Sequence, residues 1–337
     1  MRSSESATSA GHLRGRGWTR QDSCAYAPGM HWPQGYAARA ARHEDVAHIA
    51  GLFAAADRAE GAPPWATPED IAEDFRRPRM DLAANVRCVQ RDAEIVAYAE
   101  VWPRDEENSE IDLFCLVHPN HLGHGLGRAC LDFCEGRARE ISAGAGLFNY
   151  TSRADDRGRD LLESAGYEHV RSFWHMEIDL SQAPPLRDPP VGIAIRALDP
   201  ARDARALHSV MEESFSEHWG WSPTSFEDWW GPYESRADFD PALTLVAHED
   251  EHMVGACING AAPDRGWVRD LGVLKPWRGR GIAQVLLLMT FRLFLERGFT
   301  KVGLGVDSEN TTNATSLYER VGMRVYREFL AHRKELG

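Results

Sequence analysis

The chain has 337 residues, 43% of them hydrophobic and 26% charged, with a formal net charge of −13 at pH 7. That length suits two domains, with apolar mass for two cores. The acidic balance argues against nucleic acid as a partner, and no apolar run approaches the roughly 18 residues of a membrane span.

Residues 1–35 are rich in Ser, Gly and Arg and lack the apolar stretch of a secretory signal. They are expected to be a disordered extension, with recognisable structure beginning just after Met30. The six cysteines, at 24, 88, 115, 130, 134 and 257, form no CxxC pair. Reduced, buried thiols in a cytoplasmic protein are the expectation.

From there the order is regular. Residues 36–39 read as a strand, 44–57 as an amphipathic helix, 84–102 as a hairpin and 110–117 as a strand. A helix at 125–141, a strand at 144–150, a helix at 154–164 and a strand at 167–180 complete a first unit, residues 36–180. Residues 181–190 hold four prolines in ten and read as a stiff, extended linker.

The same order then returns in residues 191–337. A strand at 191–198 leads to a helix at 201–215 and a hairpin at 242–260 that turns at 249–251. A strand at 266–274, a long helix at 279–297 stopped by Gly298, a strand at 300–307, a helix at 310–320 and a strand at 323–335 follow. The repeat has one register: Gly123 with Gly279, Gly125 with Gly281, Leu161 with Leu317 and Gly166 with Gly322 are each 156 residues apart. The element mix predicts an α/β (α+β) fold, two tandem mixed sheets with helices on both faces.

In the second unit a strand runs into Arg278-Gly279-Arg280-Gly281 and then a helix. Free N–H groups at a helix start and the positive end of its dipole make an anion site. The glycines let the backbone approach closely, and the arginines add charge-assisted bonds. The loop is too short for a P-loop and lacks its Lys-Ser/Thr, and Gln284 stands where a dinucleotide loop needs glycine.

Arg278-x-x-Gly281-x-Ala283 resembles the Q/R-x-x-G-x-G/A motif of the GNAT acyltransferases (Gcn5-related N-acetyltransferases). The run from Glu309 to Met323 resembles that family's second motif, with Met323 in its Phe position. The resemblance covers nearly all of residues 36–335 as two tandem units, most like the two-domain, mycothiol synthase-like branch. It implies an acyl-CoA-dependent N-acyltransferase, acetyl-CoA by default and without a metal, acting on a primary amine of a small molecule by direct attack. Leu271, Gly272 and Val273 would pair with the pantetheine. Arg278, Gly279, Arg280, Gly281, Ile282, Ala283 and Gln284 would hold the pyrophosphate, and Asn310 would brace the arm. Tyr318 stands at the family's general-acid position.

The base is where the pattern departs. Relatives often carry a glutamate where this chain has Trp267. Asp270, His218 and Glu217 are the candidates. Trp219, Trp221, Trp229, Trp230 and Trp267 are available to line an aromatic acceptor pocket or to fill cores. In the first unit Leu122 replaces Arg278, Ala154 replaces Asn310 and Leu162 replaces Tyr318, so this copy reads as non-catalytic. Val117, Gly123, His124, Gly125, Leu126, Gly127 and Arg128 form a possible second CoA site, or the copy simply buttresses its partner. His118, His121 and His124 sit in a glycine-broken loop that offers no helical face for a metal. The fused pair predicts a monomer with a pseudo-dimeric domain pair, or a homodimer. Two other readings share these features: an acyltransferase using a non-acetyl or carrier-protein thioester, and a non-enzymatic acyl-CoA sensor or scaffold.

Overall fold

The computed structural model describes residues 31–64, 66–77, 79–221, 223–236, 238–262, 264–310 and 314–337. The first half contains β1 (Ala37–Ala40), α1 (Val46–Ala59), α2 (Pro68–Asp74), α3 (Leu82–Asn85), β2 (Val86–Arg91), β3 (Glu94–Pro103), β4 (Glu110–Val117), α4 (Leu126–Ile141), β5 (Gly146–Ser152), α5 (Asp156–Ser164) and β6 (Glu168–Asp179). The second contains β7 (Ile193–Ala197), α6 (Pro200–Phe215), α7 (Phe226–Glu234), β8 (Leu245–Glu249), β9 (His252–Ala262), β10 (Arg265–Val273), α8 (Ile282–Glu296), β11 (Lys301–Asp307), α9 (Ala314–Arg320) and β12 (Arg324–Glu335).

All twelve strands join one sheet in the order β1-β2-β3-β4-β5-β12-β6-β11-β10-β9-β8-β7. Among the described residues, only β4 with β5 and β10 with β11 run parallel. Each half has given its last strand to the other: β12 pairs with β5, and β6 pairs with β11 from Asp179 opposite Lys301 to Phe173 opposite Asp307. The two exchanged strands also pair with each other. Helices cover both faces. On one face α1 packs on β3 and β4, and α6 on β9 and β10; on the other α4 packs on β3 and β4, and α8 on β8 to β11. Four apolar clusters fill the layers, one per face per half.

Local chemistry accounts for the elements. The α8 segment is apolar almost all round because Ile282, Val285, Leu286, Leu287, Leu288, Phe291 and Phe294 are all buried. Gly266 lets Phe294 press onto β10, since a Cβ there would lie 2.5 Å from the ring. Helix α8 starts at Ile282 rather than at the expected 279, because Gly279 and Gly281 hold φ of 77° and 88°, outside the helical region. Helices α2, α3 and α7 go beyond the elements expected from the sequence. The first opens with a reciprocal cap, in which the Asp70 N–H donates to Thr67 Oγ1 at 3.1 Å and the Thr67 N–H donates to Asp70 Oδ2 at 2.9 Å. Residues 1–30, most of the expected disordered extension, lie outside the described residues. Trp32 packs against the first half's core, so ordered chain begins before residue 36.

Candidate active site

The parallel ladder of β10 and β11 is short, running from Gly266 opposite Val302 to Val268 opposite Leu304. A bulge between Val268 and Asp270 then bends β10. Beyond it β10 stays on β9 as far as Val273, and β11 stays on β6 as far as Asp307. A wedge opens between them, flanked by backbone groups that have no cross-strand partner in the sheet among the described residues. It forms part of a cavity of about 950 Å³, walled by Leu271, Gly272 and Val273 on one side and by Gly305, Val306 and Asp307 on the other.

The loop from β10 to α8 caps one end of this cavity, and Arg278, Gly279, Gly281, Ile282, Ala283 and Gln284 all line it. Open space surrounds both glycines, with nothing within 4 Å of an added Cβ. The left-handed backbone is what requires glycine here. The first amides of α8 have no acceptor one turn back in the helix, and Ile282, Ala283 and Gln284 line the cavity.

The two loop arginines are engaged within the protein. Arg278 donates from Nε to the Val273 carbonyl at 3.0 Å, from Nη2 to the Ser214 carbonyl at 3.2 Å and from Nη1 to Glu217 at 3.3 Å. Arg280 donates to Glu249 at 2.9 Å. Arg278 therefore ties the end of β10 to the end of α6. Glu217 also takes a 2.7 Å bond from Lys275. These cations hold its carboxyl below the usual range.

Tyr318 projects from α9 into the cavity and is buried, at 7% exposure. Burial raises the pKa of its phenol, and the Cys257 thiol and Asp270 carboxyl raise it further, so it holds its proton at neutral pH. Asn310 also lines the cavity, its N–H bonded to the Asp307 carbonyl at 3.1 Å. His218 is a wall residue too, its ring 4.5 Å from that of Phe215, and burial lowers its pKa. Asp270 sits one residue past the bulge, behind the wall made by Arg269, Leu271 and Gly272. Burial lifts its pKa to about 6, and Arg269 opposes the rise.

Several wall residues escaped the sequence reading. Ser214 Oγ is buried without a hydrogen-bond partner among the described residues, and it would lie 3.1 Å from a Cβ on Gly272. Phe114, Tyr150, Phe173 and His175 come from the first half and Phe329 from the exchanged β12. No signal within the second repeat pointed to them, because the strand exchange brings them there. Of the tryptophans, Trp219 reaches the wall. Trp229 and Trp230, on α7 with Phe226 and Tyr233, pack against the apolar cluster beneath α6. Trp267 packs on Gly303, its ring 5.3 Å from that of His175. Trp221 is exposed.

The first half repeats the loop without its surroundings. Gly123 and Gly125 keep φ of 80° and 81°, and α4 opens at Leu126. Pro33 lies over the loop, 3.6 Å from a Cβ on Gly125. The Tyr36 hydroxyl is 3.0 Å from His121 Nδ1, and the Tyr36 ring is 6.2 Å from that of His124. Val117 packs against the core, a Cβ on Gly127 would touch Leu161 at 3.3 Å, and Arg128 is paired with Asp132 at 2.9 Å.

Comparison with known proteins gives the same picture twice over. The acetyltransferase (GNAT) family model matches residues 48–167 and again 204–323. A mycothiol acetyltransferase of Streptomyces scabiei is 28% identical over 246 residues, covering 72% of this chain and 77% of its own. One from Kineococcus radiotolerans is 29% identical over 285 residues, covering 81% and 88%. A solved GCN5-related N-acetyltransferase from Sphaerobacter thermophilus shares 35% identity, with a TM-score of 0.76, over 91% of this chain and 97% of that one. A tandem GNAT protein from the clavulanic acid biosynthesis pathway, at 16% identity, shares the fold with a TM-score of 0.70 over 90% and 99% of the two chains. Wedge, glycine loop and duplicated match agree: this chain belongs to the GNAT family, as a tandem, mycothiol synthase-like N-acetyltransferase.

Proposed function

We propose that the second half binds acyl-CoA, acetyl-CoA by default, and passes the acyl group to a primary amine of a small molecule by direct attack. The observation that carries this is the wedge between β10 and β11, which runs from the first amides of α8 to the Tyr318 ring. The amides of Gly281 to Gln284 suit a diphosphate, and Arg278 fixes the loop that presents them. The open edge of Leu271 to Val273 suits an extended pantetheine paired as an added strand.

A backbone N–H of that edge polarises the thioester carbonyl, a contribution of typically ~3 kcal/mol to the barrier. The amine nitrogen bonds to the carbonyl carbon, the carbon–sulfur bond breaks, and Tyr318 gives its proton to the departing thiolate. The attacking nitrogen sheds its own proton to Asp270, which lies behind the cavity wall, by a water relay past the β10 bulge. With a pKa of about 6, this carboxyl is mostly ionised at pH 7. Glu217, held acidic by Lys275 and Arg278, is less suited to accept a proton. Asp270 also raises the Tyr318 pKa, so its charge keeps the acid in its donating form. The first half, with Leu162 in the tyrosine position, takes no part in proton transfer to the thiol.

A thiol-release assay with acetyl-CoA and an amine panel tests the reading. Tyr318→Phe is expected to lower turnover by about one to two orders of magnitude while CoA affinity stays near wild type. Equal turnover in that variant refutes the acid role. A carrier-protein thioester in place of acyl-CoA is a second donor to include in the assay.

A further inference from the structure

The four central strands β5, β12, β6 and β11 lie between the strands that α1 and α6 cover on their shared face. Mid-strand residues on that face are only half-buried: Tyr150, Phe173, His175 and Phe329. Their chain neighbours on the opposite face, Thr151, Ser172, Met176 and Leu330, are buried. The half-buried positions on this face are thus four rings with Arg171 and Arg327 among them, at the centre of a sheet where a helix would normally sit.

Register gathers them. Phe329 stands opposite Phe173, and His175 opposite Gly305 on the edge of the wedge. The His175 and Phe329 rings are 4.7 Å apart, and those of Tyr150 and Phe173 are 6.4 Å apart. Trp219, from the loop after α6, forms a side wall with its ring 6.0 Å from that of Phe173. First half, second half and exchanged strand therefore contribute rings to a single surface beside the reaction wedge.

The charges around this surface are mutually satisfied. Arg104 pairs with Asp112 at 2.7 Å and Glu110 at 3.1 Å and bonds the Tyr150 hydroxyl. Arg171 pairs with Asp307 at 2.9 Å and Glu309 at 3.3 Å. Arg327 pairs with Asp57 at 2.6 Å and Glu60 at 2.7 Å, and Arg265 with Glu177 and Asp264. Among the described residues, each of these four arginines already has its carboxylates, so the wall offers ring surface rather than charge. His175 adds a neutral imidazole, because burial together with Arg327 and Arg265 lowers its pKa to about 4. A flat aromatic body matches such a wall through offset and edge-to-face ring contacts.

We propose that the acceptor is an arylalkylamine. Its aromatic body lies on Phe173, Phe329 and Tyr150 against Trp219, and its amino group reaches past His175 and Gly305 to the wedge. This rests on the acyl-transfer reading above and names the substrate class for that site. It also assigns a role to the first half, which binds the acceptor for a reaction carried out in the second.

The test uses the full chain with acetyl-CoA and compares 2-phenylethylamine and tryptamine with glucosamine by thiol release. The arylalkylamines are expected to exceed glucosamine in kcat/KM by about a hundredfold or more. Phe173→Ala is expected to raise the amine KM about tenfold with little change in kcat, the mark of lost ground-state binding. Trp219→Ala, on a loop rather than in the sheet, is expected to act in the same direction. Calorimetry with CoA shows that each variant is folded and keeps the donor half intact. Glucosamine acetylated as efficiently as the arylalkylamines, no arylalkylamine acetylated by a chain that binds CoA, or an unchanged amine KM in both variants overturns the proposal. Absence of CoA binding in the wild type instead overturns the acyl-transfer reading beneath it.

Discussion

Asp270, half-buried in the fold, shows how one carboxyl links stability to chemistry. Its pKa in the fold, about 6, lies above the ordinary 3.8, so the folded chain binds this proton more tightly than the unfolded chain does. The stability it contributes is full at low pH and is lost as pH rises from about 4 through about 6. Asp270→Asn is therefore expected to raise the thermal midpoint at pH 7 by more than at pH 5, while lowering kcat/KM. In the wild type, kcat/KM is expected to fall as pH drops below about 6, and the variant is expected to lose that limb. Melts at the two pH values and a pH–rate profile check this, and a lower midpoint for the variant at pH 7 contradicts it. The resemblance to the GNAT motifs singled out Tyr318, Gly279 and Gly281, and all three line the cavity. The partners of Arg278 were not legible in the sequence, because Ser214 and Glu217 belong to a segment whose distance from the loop no local pattern encodes.

The junction of β10 with α6 is held by contact as close as any in the site. A Cβ on Gly272 would meet Ser214 Cβ at 2.9 Å and Met211 Cε at 3.2 Å. Gly272→Ala pushes α6 away from β10 and so moves the β10 wall of the wedge, a cost of about 1–3 kcal/mol for overpacking. It is expected to raise the acetyl-CoA KM and lower the thermal midpoint together, and an unchanged KM contradicts the placement of α6 as the wedge wall. Most elements were readable. The hairpins, the strand at 110–117 and the helix at 201–215 matched within a few residues of their observed bounds. Helix α7 was not, because its sequence FEDWWGPYE holds Pro232 and crowds aromatics without a clear stripe. It stands by tertiary packing, with the Trp229 ring 5.3 Å from that of His208 on α6, and by Ser225 Oγ accepting from the Asp228 N–H at 3.1 Å.

Across the whole molecule, strand exchange makes the two halves one unit. Both 167–180 and 323–335 read as strands, yet the sequence carries no signal for which sheet each joins, since an apolar strand face fits either neighbour. A roof reinforces the union. Arg236, just past α7, pairs with Asp70 at 3.1 Å and with Glu73 on α2, and also with Asp238 at 2.9 Å, which in turn holds Arg269 on β10. Calorimetry is expected to show one unfolding transition for both halves, because β12 cannot leave without stripping β5 and β6. Two separated transitions contradict it.

The loop between β10 and α8 is the proposed grip on CoA, and titrating CoA into the full chain by calorimetry tests this most directly. One saturable site per chain is expected, since Pro33 and Tyr36 lie across the first half's loop. A chain carrying Arg278→Ala and Gly281→Val is expected to bind at least about tenfold more weakly, its loop untied and its left-handed turn strained. No heat from the wild type, or equal affinity in the double variant, would contradict the assignment.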